Sequence, residues 1–201
     1  AAREAVGTGF PLSLDANAAY TLDDLPVLQA LDALSPAMIE QPMPPDDLSG
    51  HARLQAAVTA PLCLDESITS VRRAADMLAL GAGRIINIKP GRMGGHTEAL
   101  AIHDLARRRG VPVWCGGMLE SGIGRAHNVA LASLEGFTLP GDLSPSCRYW
   151  TQDIVDPAWV MTDGTLPVPL DRPGIGVEVD LELIESLTVR RMEIGSDEPT
   201  G

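Results

Sequence analysis

The chain of 201 residues is 45% hydrophobic and 21% charged, with 20 glycines and 16 prolines, which excludes disorder as its main state and fits a globular domain with many sharp turns. Fifteen Lys and Arg against 27 Asp and Glu leave a formal charge of −12; such a surface repels phosphate backbones and anionic lipid heads, so neither nucleic acid nor a membrane is an expected partner. Three cysteines without paired spacing (Cys63, Cys115, Cys147), no apolar run near the ~18 residues of a membrane span, and an N-terminus without a signal-peptide plan point to the cytoplasm.

The opening AAREAVGTGF reads as the last turns of a helix ending at Gly7 or Gly9. Short β-rich runs then recur: PLSLDAN (11–17), AMIEQP (37–42), PLCLDES (61–67), RIINIKP (84–90), VPVWCGGM (111–118) and, with a fainter pattern, EGFTLPGD (135–142). Between them lie stretches with helical spacing over 23–34, 46–58, 70–81, 97–110 and 123–136, several opening on Asp, Ser or Thr as caps. Regular alternation of strand and helix predicts a parallel α/β sheet with right-handed crossovers, its core built from Leu, Ile, Val and Ala because aromatics are only 3%. The rhythm defines a first unit over 1–150. Beyond Trp150 it gives way to turns and short extended pieces, an extension over 151–195 that packs back on the barrel or a further domain, and a frayed tail at 196–201.

Four polar residues close the first four runs: Asp15, Glu40, Asp65 and Lys89, separated by 25, 25 and 24 positions. Equal phase in successive βα units places them at the C-terminal ends of neighbouring strands, the mouth where barrel active sites form. A single strand-end carboxylate of this kind caps a helix or pairs with arginine; three in phase point to a cation, and hard oxygen donors suit Mg²⁺ or Mn²⁺. Lys89 is the only lysine among fifteen basic residues. Beside a dication and behind the apolar run Ile85, Ile86, Ile88, an amine is favoured in its neutral form and can take a proton from carbon next to a carboxylate, the charge building on the enediolate oxygens being met by the metal. A plain salt bridge to one of the three carboxylates is the alternative.

GGMLESGIGRAHN (116–128) adds a glycine turn where Gly116 and Gly117 allow close backbone approach, with Glu120 able to orient a lysine or serve the next helix, and Ser121 or backbone N–H groups able to hold a carboxylate. Met118 reads as apolar pocket wall. KPGRMGG (89–95) matches no phosphate-loop spacing, and His51, His96, His103 and His127 read as surface or packing residues on helices.

LDANAAYT, IEQP, LCLDES, NIKPGRMGG and PVWCGGMLESGIGRAHN together resemble the o-succinylbenzoate synthase and N-acylamino acid racemase family of the enolase superfamily, from about Ala1 to Asp180. The resemblance implies part of a TIM-like (β/α)₇β barrel, with the N-terminal capping domain and first barrel strands absent from these residues. It also implies Mg²⁺ on Asp15, Glu40 and Asp65, with Lys89 as catalytic lysine on one face of a small carboxylate substrate. Synthase chemistry is a lyase reaction: water leaves a cyclohexadiene carboxylate to give 2-succinylbenzoate for menaquinone, Lys89 acting as a cation near the ring. Racemase chemistry exchanges the α-proton of an N-acylamino acid at Lys89. Arg92 matches an arginine of racemase-capable members, and Asn17, Gly117, Met118 and Glu120 match positions near substrate or the lysines. The family's K-x-K motif on an earlier strand does not occur here, so the chain alone is expected to be incomplete for catalysis; the intact enzyme is expected to be a homo-oligomer. Another superfamily epimerase or cycloisomerase, or a truncated non-catalytic paralogue, are the alternatives.

Overall fold

The computed structural model describes residues 1–192; the tail expected at 196–201 lies outside the described residues, as does the end of the 151–195 extension. Five short strands, β1 (Ser13–Asp15), β2 (Met38–Glu40), β3 (Leu62–Leu64), β4 (Ile85–Ile88) and β5 (Val113–Cys115), form one parallel sheet in the order β1-β2-β3-β4-β5. β3, β4 and β5 are buried at every residue, as expected of parallel strands covered on both faces. The helices α1 (Ala2–Val6), α2 (Leu25–Asp32), α3 (Leu48–Ala57), α4 (Val71–Leu80), α5 (His96–Arg109) and α6 (Gly122–Ala132) alternate with them. The alternation, the five principal strand runs and the terminal helix ending before Gly7 follow the sequence reading.

Local chemistry sets the helix ends. Pro26 stands in the first turn of α2, where its missing N–H costs nothing. Asp47 accepts from Gly50 N at 2.7 Å ahead of α3, and Ser70 Oγ accepts from Arg73 N at 3.3 Å ahead of α4. Gly81 and Gly110 close α4 and α5 in the left-handed conformation. Arg107, Arg108 and Arg109 fill the last turn of α5, where cations complement the helix dipole. The largest core cluster packs Ile86 and Ile88 of β4 against Met77 of α4 and Ile102 of α5; a second joins Leu28, Ile39, Leu54 and Leu62.

The sixth run does not become a strand. Residues 135–142 run beside β5 through only two isolated parallel bridges, Val113 with Phe137 and Gly116 with Asp142. Pro140 can donate nothing to a ladder, and the chain around Gly141 passes so close to the Cys115 carbonyl that a Cβ there would lie 2.9 Å from it. Further on, β6 (Val155–Asp156) pairs antiparallel with β7 (Glu178–Val179), followed by α7 (Leu181–Leu187). Val155 and Trp159 pack on Ala126 and Val129 of α6, and Asp153 Oδ1 accepts from Gly122 N at the first residue of that helix. Among the described residues no helix is long and apolar enough to cross a membrane.

Candidate active site

The register places the first two carboxylates side by side: Asp15 is the partner of Glu40 across β1 and β2. Glu40 is in turn the partner of Cys63, and Asp65 follows two residues later, at the same phase of the pleat. Glu40 and Asp65 are buried, whereas Asp15 stands at the exposed edge strand.

Each carboxylate has its own partners. Asp15 Oδ1 accepts from Asn17 N at 2.9 Å, with Asn17 in the left-handed region at φ 45°. Glu40 Oε1 accepts from Asn87 Nδ2 at 2.8 Å. Asp65 carries two cations: Lys89 Nζ donates to Oδ2 at 2.6 Å, and Arg92 Nε donates to Oδ1 at 3.0 Å. The alternative reading of Lys89 as a salt-bridge partner is therefore the arrangement this structure contains, and among the described residues no three His, Cys, Asp or Glu side chains form a ready-made metal site. Burial pushes the Glu40 carboxyl up to about 7; the Asn87 hydrogen bond opposes this, the charges of Asp15 and Asp65 add to it, and Lys89 opposes it. The three acids thus act on one another through space, and Glu40 is short of positive charge. Burial also raises Cys63 well above its ordinary value and pushes Cys115 up to about 12, so both remain thiols.

The β5–α6 loop forms the adjoining wall. A Cβ on Gly116 would lie 2.4 Å from Asn87 Oδ1 and 2.5 Å from Lys89 Cε, so the glycine leaves room for the lysine stem. Gly117 likewise admits the Asp142 carbonyl, 2.5 Å from where a Cβ would stand. Glu120 Oε1 accepts from Asn128 Nδ2 of α6 at 2.7 Å, while Oε2 is buried without a partner; its backbone carbonyl accepts from Trp150 Nε1 at 3.0 Å. Ser121 is the N-cap of α6 without a side-chain cap bond, the N-terminal amide of Gly122 donating instead to Asp153 Oδ1 at 2.8 Å. Met118 is half exposed. Of the histidines, His51 and His103 are buried packing residues, and His96 Nε2 lies 3.1 Å from His127 Nδ1.

Two buried carboxamides in this site, Gln41 and Asn87, escaped the sequence reading. An amide inside the apolar run IINI was the available signal for Asn87, since a buried polar group in a strand demands a partner.

The enolase C-terminal domain-like family model matches residues 1–183. The chain belongs to this family. It is 52% identical over 196 residues to an N-succinylamino acid racemase of Amycolatopsis sp., covering 98% of this chain and 53% of that protein. It is 56% identical over 178 residues to an o-succinylbenzoate synthase of Geobacillus kaustophilus, covering 89% of this chain and 47% of that protein. The chain thus spans about half the length of the curated relatives it matches. A crystal structure of an enolase superfamily member from Listeria innocua superposes with a TM-score of 0.87 at 42% identity, over 92% of this chain and 49% of that one. A dipeptide epimerase from Cytophaga hutchinsonii, solved with Mg and the dipeptide D-Ala-L-Val, superposes with a TM-score of 0.83 at 25% identity, over 92% and 50% of the two chains.

Proposed function

We propose that this enolase-type chain carries the metal-holding half of an o-succinylbenzoate synthase or N-acylamino acid racemase, with a small carboxylate as substrate. The observation that carries the reading is the strand register that sets Asp15 beside Glu40, with Asp65 and the sequence's only lysine, Lys89, at the ends of the next two strands; relatives at 52% and 56% identity named for the two activities support it.

Asp15, Glu40 and Asp65 would hold Mg²⁺, and their all-oxygen donor set and the shortage of positive charge at Glu40 fit that ion. Bound there, it would supply positive charge for oxygens that become anionic in the reaction. Asp65 would then be shared with, or released by, the Lys89 ammonium. In racemisation Lys89 Nζ, as the neutral amine, would take the α-proton of the bound amino acid derivative and become an ammonium, the C–H electron pair passing into the carboxylate. A protonated lysine on the opposite face, which the family resemblance assigns to the K-x-K motif of an earlier strand, would donate its proton to that carbon and invert the centre. In dehydration Lys89 would remain an ammonium beside the ring. Arg92 would keep Asp65 oriented while Lys89 changes protonation, and Gly116 would let the lysine stem approach. Asn17, Gly117, Met118, Glu120 and Ser121 would shape the substrate side, and free cysteines at 63, 115 and 147 fit a cytoplasmic setting.

The test joins this chain to the half that its relatives carry beyond it and assays both reactions in parallel: loss of water from the cyclohexadiene carboxylate, and racemisation of N-succinylamino acids. Activity in either assay that disappears with Lys89→Ala supports the reading. A complete protein inactive in both, or one indifferent to Lys89→Ala, overturns it.

A further inference from the structure

Gln41 follows Glu40 directly, is fully buried, and sits at φ 32°, in the left-handed region that a non-glycine residue rarely occupies. Such a backbone persists only where surrounding contacts over-determine it, and here they do. The Gln41 amide donates to Cys63 O at 2.8 Å, and its carbonyl accepts from Ala18 N at 2.7 Å. Its side-chain Oε1 accepts from Asp65 N at 3.0 Å and Ser67 N at 3.1 Å, while Nε2 donates to Ser67 Oγ at 2.8 Å and Met43 O at 2.9 Å. Both lone pairs and both protons of the carboxamide are thereby used, which fixes its orientation. One residue is thus bonded to the Asp15 loop, adjacent to Glu40, and bonded to the backbone of Asp65.

We propose that Gln41 is a positioning residue that sets the mutual placement of the Asp15, Glu40 and Asp65 segments and, through it, the affinity of this mouth for a divalent cation. The inference rests on the metal reading given above. Removing the carboxamide would leave the Asp65 and Ser67 amides without an acceptor and free the loop that carries the third acid. Residues of this kind behind metal ligands typically change affinity by about 10- to 100-fold.

A matched control lies in the same fold. Gln55 is also buried, accepts from Leu62 N at 2.8 Å and donates to Ala60 O at 3.1 Å, but it does so at the opposite end of β3. Magnesium binding to the full chain is measured by calorimetry for the unsubstituted protein, Gln41→Leu and Gln55→Leu, alongside denaturant stability and hydrogen exchange at the Asp65 and Ser67 amides. The proposal expects binding weakened at least tenfold in Gln41→Leu with faster exchange at both amides, and affinity unchanged in Gln55→Leu despite its own loss of stability. If Gln41→Leu does not fold, Ser67→Ala, which removes one acceptor of Gln41 Nε2, is expected to weaken binding a few-fold. Lower stability with unaltered magnesium affinity in both Gln41→Leu and Ser67→Ala, or equal weakening in Gln55→Leu, overturns the positioning role while leaving the metal site intact. Absence of saturable binding in the unsubstituted chain overturns the metal reading, and the role of Gln41 with it.

Discussion

Lys89 Nζ and Asp65 Oδ2 lie 2.6 Å apart although 24 residues separate them in the chain. The separation is one βα unit: Asp65 follows the last residue of β3 and Lys89 the last residue of β4, and because the register sets Leu64 beside Ile86, Lys89 stands two residues beyond the level of Asp65, a gap that its long side chain bridges. Asp65 is almost fully buried and also holds Arg92, so its charge is matched twice. Asp65→Asn keeps the shape but leaves two cations facing a neutral amide. A loss of about 2 kcal/mol in denaturant-derived stability of the metal-free chain is expected, the magnitude of hydrogen bonds to charged groups. No loss would mean that the pair is energetically idle.

Lys89 reaches the mouth from one side. In the completed protein, Lys89→Ala should therefore stop solvent deuterium from entering one enantiomer of an N-succinylamino acid while exchange of the other persists, as followed by proton NMR. Equal loss for both enantiomers contradicts a one-sided role.

Room for that lysine depends on Gly116. A methyl group there would press on Asn87, a buried side chain held by Glu40, as well as on Lys89. Gly116→Ala is expected to destabilise by about 1–3 kcal/mol, the usual cost of overpacking, and to lower turnover in the completed protein. Unchanged melting temperature and turnover would show that Asn87 and Lys89 can both move aside.

The Glu40 carboxyl is raised from 4.5 to about 7. A raised acid binds its proton more tightly in the folded state, so its stability contribution is complete below pH ~4.5 and is lost as the pH rises through about 7, amounting to about 3 kcal/mol at most. The metal-free chain should lose stability over that window relative to Glu40→Gln, and saturating Mg²⁺ should shrink the difference. A pH profile identical in the two proteins would contradict the buried, charge-starved Glu40.

His51 shifts the other way. Burial lowers it below 6.5, its Nδ1 lying 2.7 Å from Asp47 O and its Nε2 against the Gln41 amide. Its neutral form is favoured in the fold, so stability is lost as the pH falls from 6.5 toward the lowered value. His51→Gln should remove this acid-side loss in thermal melts; persistence of the loss would assign it to another group.

The βα rhythm was legible because burial on both faces requires near-continuous apolar strands, and because strand-end polar residues recur at a fixed period, as Asp15, Glu40, Asp65 and Lys89 do. The 135–142 run misled in part: its apolar residues do lie along β5, but Pro140 and the tight approach at Gly141 interrupt the ladder, and spacing alone does not reveal a close backbone contact. Nothing in IEQP marks Gln41 as functional, because its importance comes from a left-handed backbone and from partners 24 and 26 residues away. The hold of Asp153 on α6 was hidden for the same reason, its partner Gly122 lying 31 residues earlier.

Thermal unfolding of the full chain against Mg²⁺ concentration tests the shared mouth most directly. Saturable stabilisation, approaching about 2.7 kcal/mol at a hundredfold excess over the dissociation constant, is expected for the unsubstituted chain, with its abolition in Asp65→Asn and Glu40→Gln. A magnesium response that both substitutions leave unaltered would contradict a cation held by these carboxylates.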